Sequence, residues 1–512
     1  MTDARGTTLR YTLISLAIMA LGICCTIFIP AGQDILWRLH IAEGILDGKI
    51  LYRDLIEVNP PLWFWTALPT VWLSNLTGMS EHNILIGFSF AVILLTSALF
   101  LSLAKKTLEQ PAALWLGVSF LAALCLSSIG DLGQREQSLL MASGLWLILL
   151  VVRMEGRQVP IWTAILVGLL AAYGFALKHY FVLIPLVLEG WLLWRQKRAW
   201  RPFRPETLVL GLCALAYAVA VWLYSPDFLN RILNLVQTAY FGFGPWNGLS
   251  PVERQLRLLT QCLFVAVPLA AMILTKERRP MAVGLMITIL VATFIVLLQQ
   301  KGWRYHFIAV YGLSTMLVLM ILQRVRAERL QGFAATFALL AVPTLVWTAI
   351  VQPALVKIKA ADGMVEPKLE RLIAQEPLKS RIVILSTAPD NAFYPLAHMG
   401  RSYWSRHYSM WMMPGLLTPT ADQKREAIRK TELARIRAEF VTDIQCAQPN
   451  LIVGEVGYFR NPEPKLFDAM AYLSEDGEFK AWLATHYEAQ KSVGPYPIWR
   501  WKGPTVAAKA CR

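Results

Sequence analysis

PPLWFWTALPTVWLSNL, Pro60–Leu76, is the stretch on which the topology of this chain turns. The other apolar blocks run about 17–22 residues, enough to cross a ~30 Å hydrocarbon core at 1.5 Å per residue. If Leu62–Leu76 also crossed, Lys105 and Lys106 would fall outside and every later loop would be inverted. Short cytoplasmic loops retain Lys and Arg, so that arrangement conflicts with the charge pattern throughout. A membrane-surface or re-entrant helix restores agreement at every loop. The stretch is short, rich in Trp and Pro, and preceded by Pro60-Pro61, which blocks helix continuation from upstream.

Working outward, the charge rule selects about eleven spans, near 11–30, 83–104, 112–128, 138–152, 161–177, 180–194, 207–224, 256–275, 281–298, 307–322 and 333–352. Basic residues occupy alternate loops: Arg5 and Arg10; Lys105 and Lys106; Arg153 and Arg157; Arg195, Lys197, Arg198, Arg201 and Arg204; Lys276, Arg278 and Arg279; Arg324, Arg326 and Arg329. The opposite side carries 31–82, 129–137, a turn at 178–179, 225–255, 299–306 and the tail. The segment 161–194 has basic loops on both sides, so it must cross an even number of times. Its turn therefore falls between Gly174 and Tyr180, which puts Lys178 and His179 at the outer surface. The first block, Tyr11–Pro30, lacks a small-x-small cleavage site and reads as a retained helix.

Composition agrees. Of 512 residues 56% are hydrophobic and only 16% charged, with mean hydropathy +0.46; soluble chains carry nearer a quarter charged residues. The net charge of +15 is confined to short loops, which excludes a nucleic-acid partner and points to a lipid bilayer. The seven cysteines show no metal spacing. Cys24, Cys25, Cys125, Cys213 and Cys262 lie in apolar blocks and read as small core residues. Cys446 and Cys511 fall in the exported tail, where a disulfide is chemically allowed.

From about residue 353 the character changes. Arg381–Thr387 and Leu451–Val456 read as buried strands, and Ala421–Phe440 and Glu475–Tyr487 as helices. Their alternation predicts a small α/β domain. The expected architecture is thus a polytopic α-helical membrane domain, 1–352, with a soluble α/β periplasmic domain, 353–512. The segment Asn391–Gly415, dense in aromatic and basic residues, is expected to face the membrane or an acceptor.

The loop 31–82 holds the most chemistry. GQDILWRLHIAEGILDGKILYRDLIEVNPPLWFW, Gly32–Trp65, begins with an amphipathic helix. Ile35, Leu39, Ala42 and Leu46 recur at helical spacing, with His40, Glu43 and Asp47 roughly opposite, suited to lying flat at the interface. Asp34 stands at its N-terminus, where one reading of it is a helix cap. Asp54 and Glu57 follow before Asn59-Pro60-Pro61.

Asp34, the amphipathic helix, Gly48-x-x-x-Tyr52-x-Asp54 and Pro60-Pro61-Leu62 together resemble the first periplasmic loop of the C-type (GT-C) glycosyltransferases. The likeness is to the polyprenyl-phosphate sugar-dependent branch, glycosyltransferase 39-like, related to protein O-mannosyltransferase and lipid A aminoarabinose transferase. Many members have Asp-Glu where this chain has Asp34-Ile35. Aminoarabinose transferases have Lys-Pro-Pro where it has Asn59-Pro60-Pro61, which argues against that sugar. The resemblance implies that Asp34 is the catalytic carboxylate. It also implies a polyprenyl-phosphate-linked sugar donor and an envelope glycan, lipid or protein acceptor.

The chemistry accounts for the residue types. Polyprenyl phosphate departs as a stabilised anion, so a general acid is unnecessary. The reaction needs a carboxylate to deprotonate the acceptor, plus cations or a metal at the phosphate. Lys178, Lys301, Arg304, His306 and Arg135 are the candidate phosphate ligands. They lie in outer loops from which the charge rule should exclude cations. The structural alternative for each is an interfacial snorkelling side chain. Asp131 or Glu136 matches an acidic residue that many members carry in the second outer loop. Asp34 with Glu136 could hold a divalent metal, Mg²⁺ or Mn²⁺, while a salt bridge with Arg135 is the structural alternative. Tyr240–Trp246 reads either as a gate or sugar-stacking loop or as an interfacial anchor. Two other classes compete with this reading, a transporter or flippase and an O-antigen polymerase or ligase. Few charges lie within the spans, Glu189 being an exception, and the polar groups collect at one face, which disfavours a transporter. Inner-membrane location with the active site facing the periplasm is the expectation.

Overall fold

The computed structural model describes residues 2–29, 31–242, 251–327, 347, 351, 367–460 and 464–503. Every expected span except 333–352, which lies outside the described residues, coincides with a helix. These are α1 (Thr2–Phe28), α5 (Glu81–Ala104), α6 (Gln110–Leu126), α7 (Arg135–Met154), α8 (Ile161–Ala176), α9 (Leu183–Gln196), α10 (Pro205–Tyr224), α12 (Pro251–Leu274), α13 (Pro280–Gln299) and α14 (Ile308–Ala327). Seven described helices have the length and apolar content to cross a bilayer. Leu62–Leu76 forms two short helices, α3 (Leu62–Trp65) and α4 (Leu68–Thr77), broken before Pro69.

The chain separates into two compact units: 1–31, 73–220 and 250–358 in one; 32–72, 221–249 and 359–512 in the other. The first is the helical bundle. Its α7 is buried along nearly its whole length, whereas α1 and α10 expose Leu13, Leu16, Leu212, Leu215 and Trp222, as helices bordering lipid do. Glycine lets α7 and α8 touch: a Cβ on Gly174 would lie 2.5 Å from both Ala142 Cβ and the Ser138 carbonyl oxygen. Ion pairs fix which helix ends meet. Glu206 at the start of α10 is fully buried between Arg153 at the end of α7 and Arg204. Glu189, the charge expected inside a span, pairs with Arg204. Glu277 joins Arg279 at 2.7 Å and Arg324 at 3.0 Å. The basic loops of the charge pattern thus meet one another through buried carboxylates.

Only Cys125 of the expected core cysteines is buried; Cys24 and Cys262 are exposed and Cys25 and Cys213 intermediate. A thiol is apolar enough to face lipid, so residence in an apolar block does not imply burial.

The second unit holds a four-stranded sheet in the order β1 (Ile382–Leu385), β2 (Leu451–Gly454), β6 (Tyr496–Trp501), β5 (Tyr487–Val493). β1 and β2 are parallel, with Ile382 opposite Leu451; β6 runs antiparallel to both neighbours. β1 and β2 are buried at every position, which is why their sequences read as strands. The β5–β6 hairpin was not expected, since Pro497 breaks its pattern. Pro497 sits where the ladder is irregular, between the Gln490–Ile498 and Val493–Tyr496 pairs, a position that tolerates an absent N–H. A second hairpin joins β3 (Val456–Arg460) to β4 (Pro464–Asp468). The expected helices are Gln423–Ala447, capped by the Asp422 carboxylate, and Gly477–His486, capped by Asp476. Cys446 is disulfide-bonded; Cys511, its expected partner, lies outside the described residues.

Candidate active site

In the bundle, α7 starts after the loop Gly130–Gln134, where Gly130 and Gly133 take φ of +78° and +86°. Gln137 reaches back to close that loop, accepting from Gly133 N at 2.8 Å and donating to Ser128 Oγ at 2.9 Å. The turn so formed places Arg135 and Glu136 inside, 2% and 0% exposed. Lys178, expected at the outer surface, does sit in the α8–α9 turn but is buried. Its ammonium donates to Glu136 Oε1 at 2.5 Å and to Gln299 Oε1 at 2.8 Å. Tyr180 donates to the same Gln299 oxygen at 3.2 Å. The Lys178 ammonium also faces the rings of Tyr180, Phe181 and Tyr305 at 5.7–5.9 Å. No charge-assisted pair of this kind persists away from water without such partners.

The loop after α13 supplies the rest. Gln300 and Gly302 adopt left-handed conformations, turning the chain so that Lys301 and His306 are buried, each 2% exposed. Burial pulls the Lys301 pKa down to about 8. Arg304 pairs with Asp131. Lys178, Arg135 and Lys301 all lie close enough to the His306 ring to act on it electrostatically. The cluster therefore sets Arg135, Lys178, Lys301 and Arg304 against two carboxylates, Asp131 and Glu136. His306 Nε2 stands 4.0 Å from Glu136 Oε1. Among the described residues both His306 ring nitrogens and Glu136 Oε2 are buried without a hydrogen-bond partner. Buried polar atoms are nearly always satisfied in native proteins, so orphans within an excess of positive charge mark a place for an anion.

The remaining predicted residues lie in the other unit. In α2 (Gln33–Leu46) the N-cap is Gly32, not Asp34, which stands one residue inside the helix. The helix-cap reading of Asp34 therefore fails. The helix is also more deeply covered than a flat interfacial one: Trp37, Arg38 and Ile41 are buried beside Ile35, Leu39 and Ala42, while Leu46 is exposed. Arg38 donates to the Trp63 carbonyl at 2.8 Å and to Thr66 Oγ1 at 3.2 Å. Glu57 is fully engaged in shaping the loop. It accepts from Trp37 Nε1 at 2.9 Å and, through its other oxygen, from Val58 N, Asn59 N and Asn59 Nδ2 at 2.7–3.0 Å. Asp54 closes a turn, accepting from Ile50 N at 2.8 Å.

The segment Asn391–Gly415, expected to face membrane or acceptor, packs on this first loop. Ile56 N donates to the Arg406 carbonyl at 2.7 Å. Trp37 stacks on Tyr408 at 4.9 Å and meets Phe393 edge-on at 5.1 Å. Arg231 clamps Glu439 at 2.7 and 2.9 Å while His407 reaches the same carboxylate at 2.8 Å. Tyr240 meets Trp411 edge-on at 6.4 Å; Phe243–Trp246 lie outside the described residues. Phe393, Tyr403 and Tyr408 were missed as individual contacts because nothing in local spacing ties residue 37 to residue 408.

Asp34 and Glu136, the expected metal pair, belong to different units. Among the described residues no three His, Cys, Asp or Glu side chains converge as a metal-ligand set.

No protein-family model and no curated relative matches the sequence. Solved structures do. ArnT from Cupriavidus metallidurans in the apo state is 12% identical, with TM-score 0.54 over 97% of this chain and 98% of that one. The same protein bound to undecaprenyl phosphate is 13% identical, with TM-score 0.56 over 96% and 98%. The Archaeoglobus fulgidus oligosaccharyltransferase, in complex with Zn and sulfate, is 13% identical with TM-score 0.42 over 89% and 73%, too distant to bear on the site. A likeness that runs the length of both chains, on a helical bundle whose loops were already legible in the charge pattern, means that this multi-pass membrane protein has the GT-C glycosyltransferase fold.

Proposed function

We propose that this protein is a multi-pass inner-membrane glycosyltransferase that moves a sugar from a polyprenyl-phosphate donor to a hydroxyl of a cell-envelope glycan, glycolipid or protein. The loops 31–82, 129–137 and 299–306 and the tail from 353 face the periplasm. Asp34 takes the acceptor proton, and the acceptor oxygen displaces polyprenyl phosphate with inversion at the anomeric carbon. Arg135, Lys178, Arg304 and His306, with Lys301 beside them, hold the donor phosphate and stabilise the charge it gains on leaving. Glu136 and Asp131 position Lys178 and Arg304. Glu57 and Asp54 support the loop that carries Asp34. No step is routed through a metal.

The observation that carries the reading is the buried, net-positive cluster around the unsatisfied His306 ring. Confining excess positive charge at the end of a helical bundle is costly unless an anion completes it. The solved neighbour bound to undecaprenyl phosphate is consistent with a lipid-linked phosphate as that anion.

The test is sugar transfer by purified protein in nanodiscs, offered a panel of radiolabelled polyprenyl-phosphate sugars and a crude envelope-lipid extract. Wild type should transfer label from at least one donor, and a folded Asp34→Asn variant should lose at least about a hundredfold. An unaffected variant would move the base to another carboxylate. A wild type inert toward every donor would sink the glycosyltransferase reading.

A further inference from the structure

Asp34 and Trp37 are one helical turn apart on α2 and share a face. On that face Trp37 stacks on Tyr408 and meets Phe393, so the C-terminal segment lies against the turn that carries the catalytic carboxylate. Asp390 precedes Phe393 by three residues, in a short turn formed by Pro389–Asn391. Trp37, Phe393 and Tyr403 are buried, whereas Asp34 and Asp390 are only partly so. The patch is therefore apolar at its base and carboxylate-lined where solvent reaches it.

Tyr408 does not behave as a core residue. Its ring is 7% exposed, and among the described residues its hydroxyl has no hydrogen-bond partner. Its neighbour Tyr403, equally buried, donates to the His407 carbonyl at 2.8 Å and the Tyr408 carbonyl at 3.1 Å. Burial and then the carboxylates of Asp34, Asp390 and Glu57 push the Tyr408 phenol well above its usual range. The hydroxyl thus stays protonated, a donor standing among acceptors. Glu57 is occupied by four hydrogen bonds of its own, which leaves Asp34 and Asp390 as the carboxylates that face solvent.

We infer that Asp390 and Tyr408 form the acceptor subsite beside Asp34 and bind a hydroxyl-rich, non-anionic sugar. The inference rests on the glycosyltransferase reading above. Sugar hydroxyls both donate and accept, so they can satisfy two carboxylates and a phenol at once. An anionic group would meet like charge from Asp34, Asp390 and Glu57. In the transfer step the Asp34 carboxylate takes the proton of one acceptor hydroxyl. That oxygen bonds to the anomeric carbon as the bond from that carbon to the phosphate oxygen breaks, and its electron pair leaves on polyprenyl phosphate. Asp390 accepts from a second hydroxyl and Tyr408 donates to the acceptor, holding the nucleophile in line. These two are positioning residues; the proton goes to Asp34.

The experiment uses full-length Tyr408→Phe, Asp390→Asn and Asp390→Glu in nanodiscs, with the productive donor and acceptor from the extract. Tyr408→Phe removes one oxygen and keeps the aromatic stack, so folding is preserved, and thermal melting checks it. Each of Tyr408→Phe and Asp390→Asn should raise the acceptor KM about tenfold, the worth of one good hydrogen bond, while the donor KM holds. Asp390→Glu should recover part of the loss. Folded variants with wild-type acceptor KM, or with donor and acceptor KM raised together, would overturn the subsite alone. A wild type inert toward every donor would overturn the enzyme reading and the subsite with it.

Discussion

Lys178 donates to Glu136 at 2.5 Å, joining the turn after α8 to the first turn of α7, with both side chains at most 5% exposed. Within the bundle this pair does two things: it fixes the α7–α8 register and it holds a cation in place for a phosphate. Removing one partner leaves an uncompensated buried charge, which typically costs about 3–5 kcal/mol, whereas removing both costs far less. Lys178→Met should therefore lower thermal stability in detergent markedly. The double variant with Glu136→Gln should recover most of that stability while donor binding stays lost. Equal melting temperatures for the single and double variants would contradict a paired buried charge.

Lys301 gives a pH dependence with two opposite signs. Burial lowers its pKa to about 8, against about 10.4 for a free lysine. Between those values the unfolded chain binds more protons than the folded one, so the contribution to stability rises with pH. Donor binding should move the other way, weakening as pH rises through about 8 and the ammonium is lost. Equilibrium binding of polyprenyl phosphate from pH 6.5 to 9.5 would test this. Lys301→Arg, which stays charged, should flatten the curve.

Glu439 sets the acid limit of the C-terminal unit. Burial raises its pKa, but the hydrogen bond and charge of His407, followed by Arg231, outweigh it and hold the carboxyl at about 2. A depressed carboxylate contributes stability that is present above about pH 4.3 and lost as pH falls toward 2. Tryptophan fluorescence of the intact protein between pH 6 and 2 should show loosening in that window. In Glu439→Gln the stability should be lower at neutral pH and the acid dependence shallower.

Gly174 is predicted to tolerate no side chain. A Cβ would fall 2.5 Å from backbone oxygen at Ser138 and from Ala142 Cβ, and neither can swing aside. Gly174→Ala should destabilise by about 1–3 kcal/mol and separate α7 from α8. Because Lys178 follows on the same turn, donor affinity should fall with it. Unchanged melting and binding would mean the two helices do not meet this closely.

Much of the architecture was readable because membrane insertion imposes one-dimensional rules. Span length follows from bilayer thickness and sidedness from Lys and Arg, so most helices were placed within a few residues of where they lie. β1 and β2 were legible because strands buried on both faces are continuous apolar runs. β5 and β6 were not, since a proline at a ladder irregularity looks like a break. Asp34, Lys178, Arg304 and His306 stood out as polar residues on the loop face, yet which carboxylate each cation meets could not be read. Arg135 neighbours Glu136 in sequence, but the carboxylate takes Lys178, 42 residues away.

By itself, then, the sequence determined the number and order of helices, the face on which polar chemistry gathers and the resemblance of the first loop. Each is written in local composition, because the bilayer acts on every segment separately. Only the tertiary structure decided that Asp34 is not a cap, that Glu57 is a scaffold for Trp37, and that Tyr408 lies against Trp37 from 371 residues further along the chain. Those outcomes depend on which buried donors meet which acceptors, and that pairing is settled by packing between distant segments rather than by any property of one segment alone.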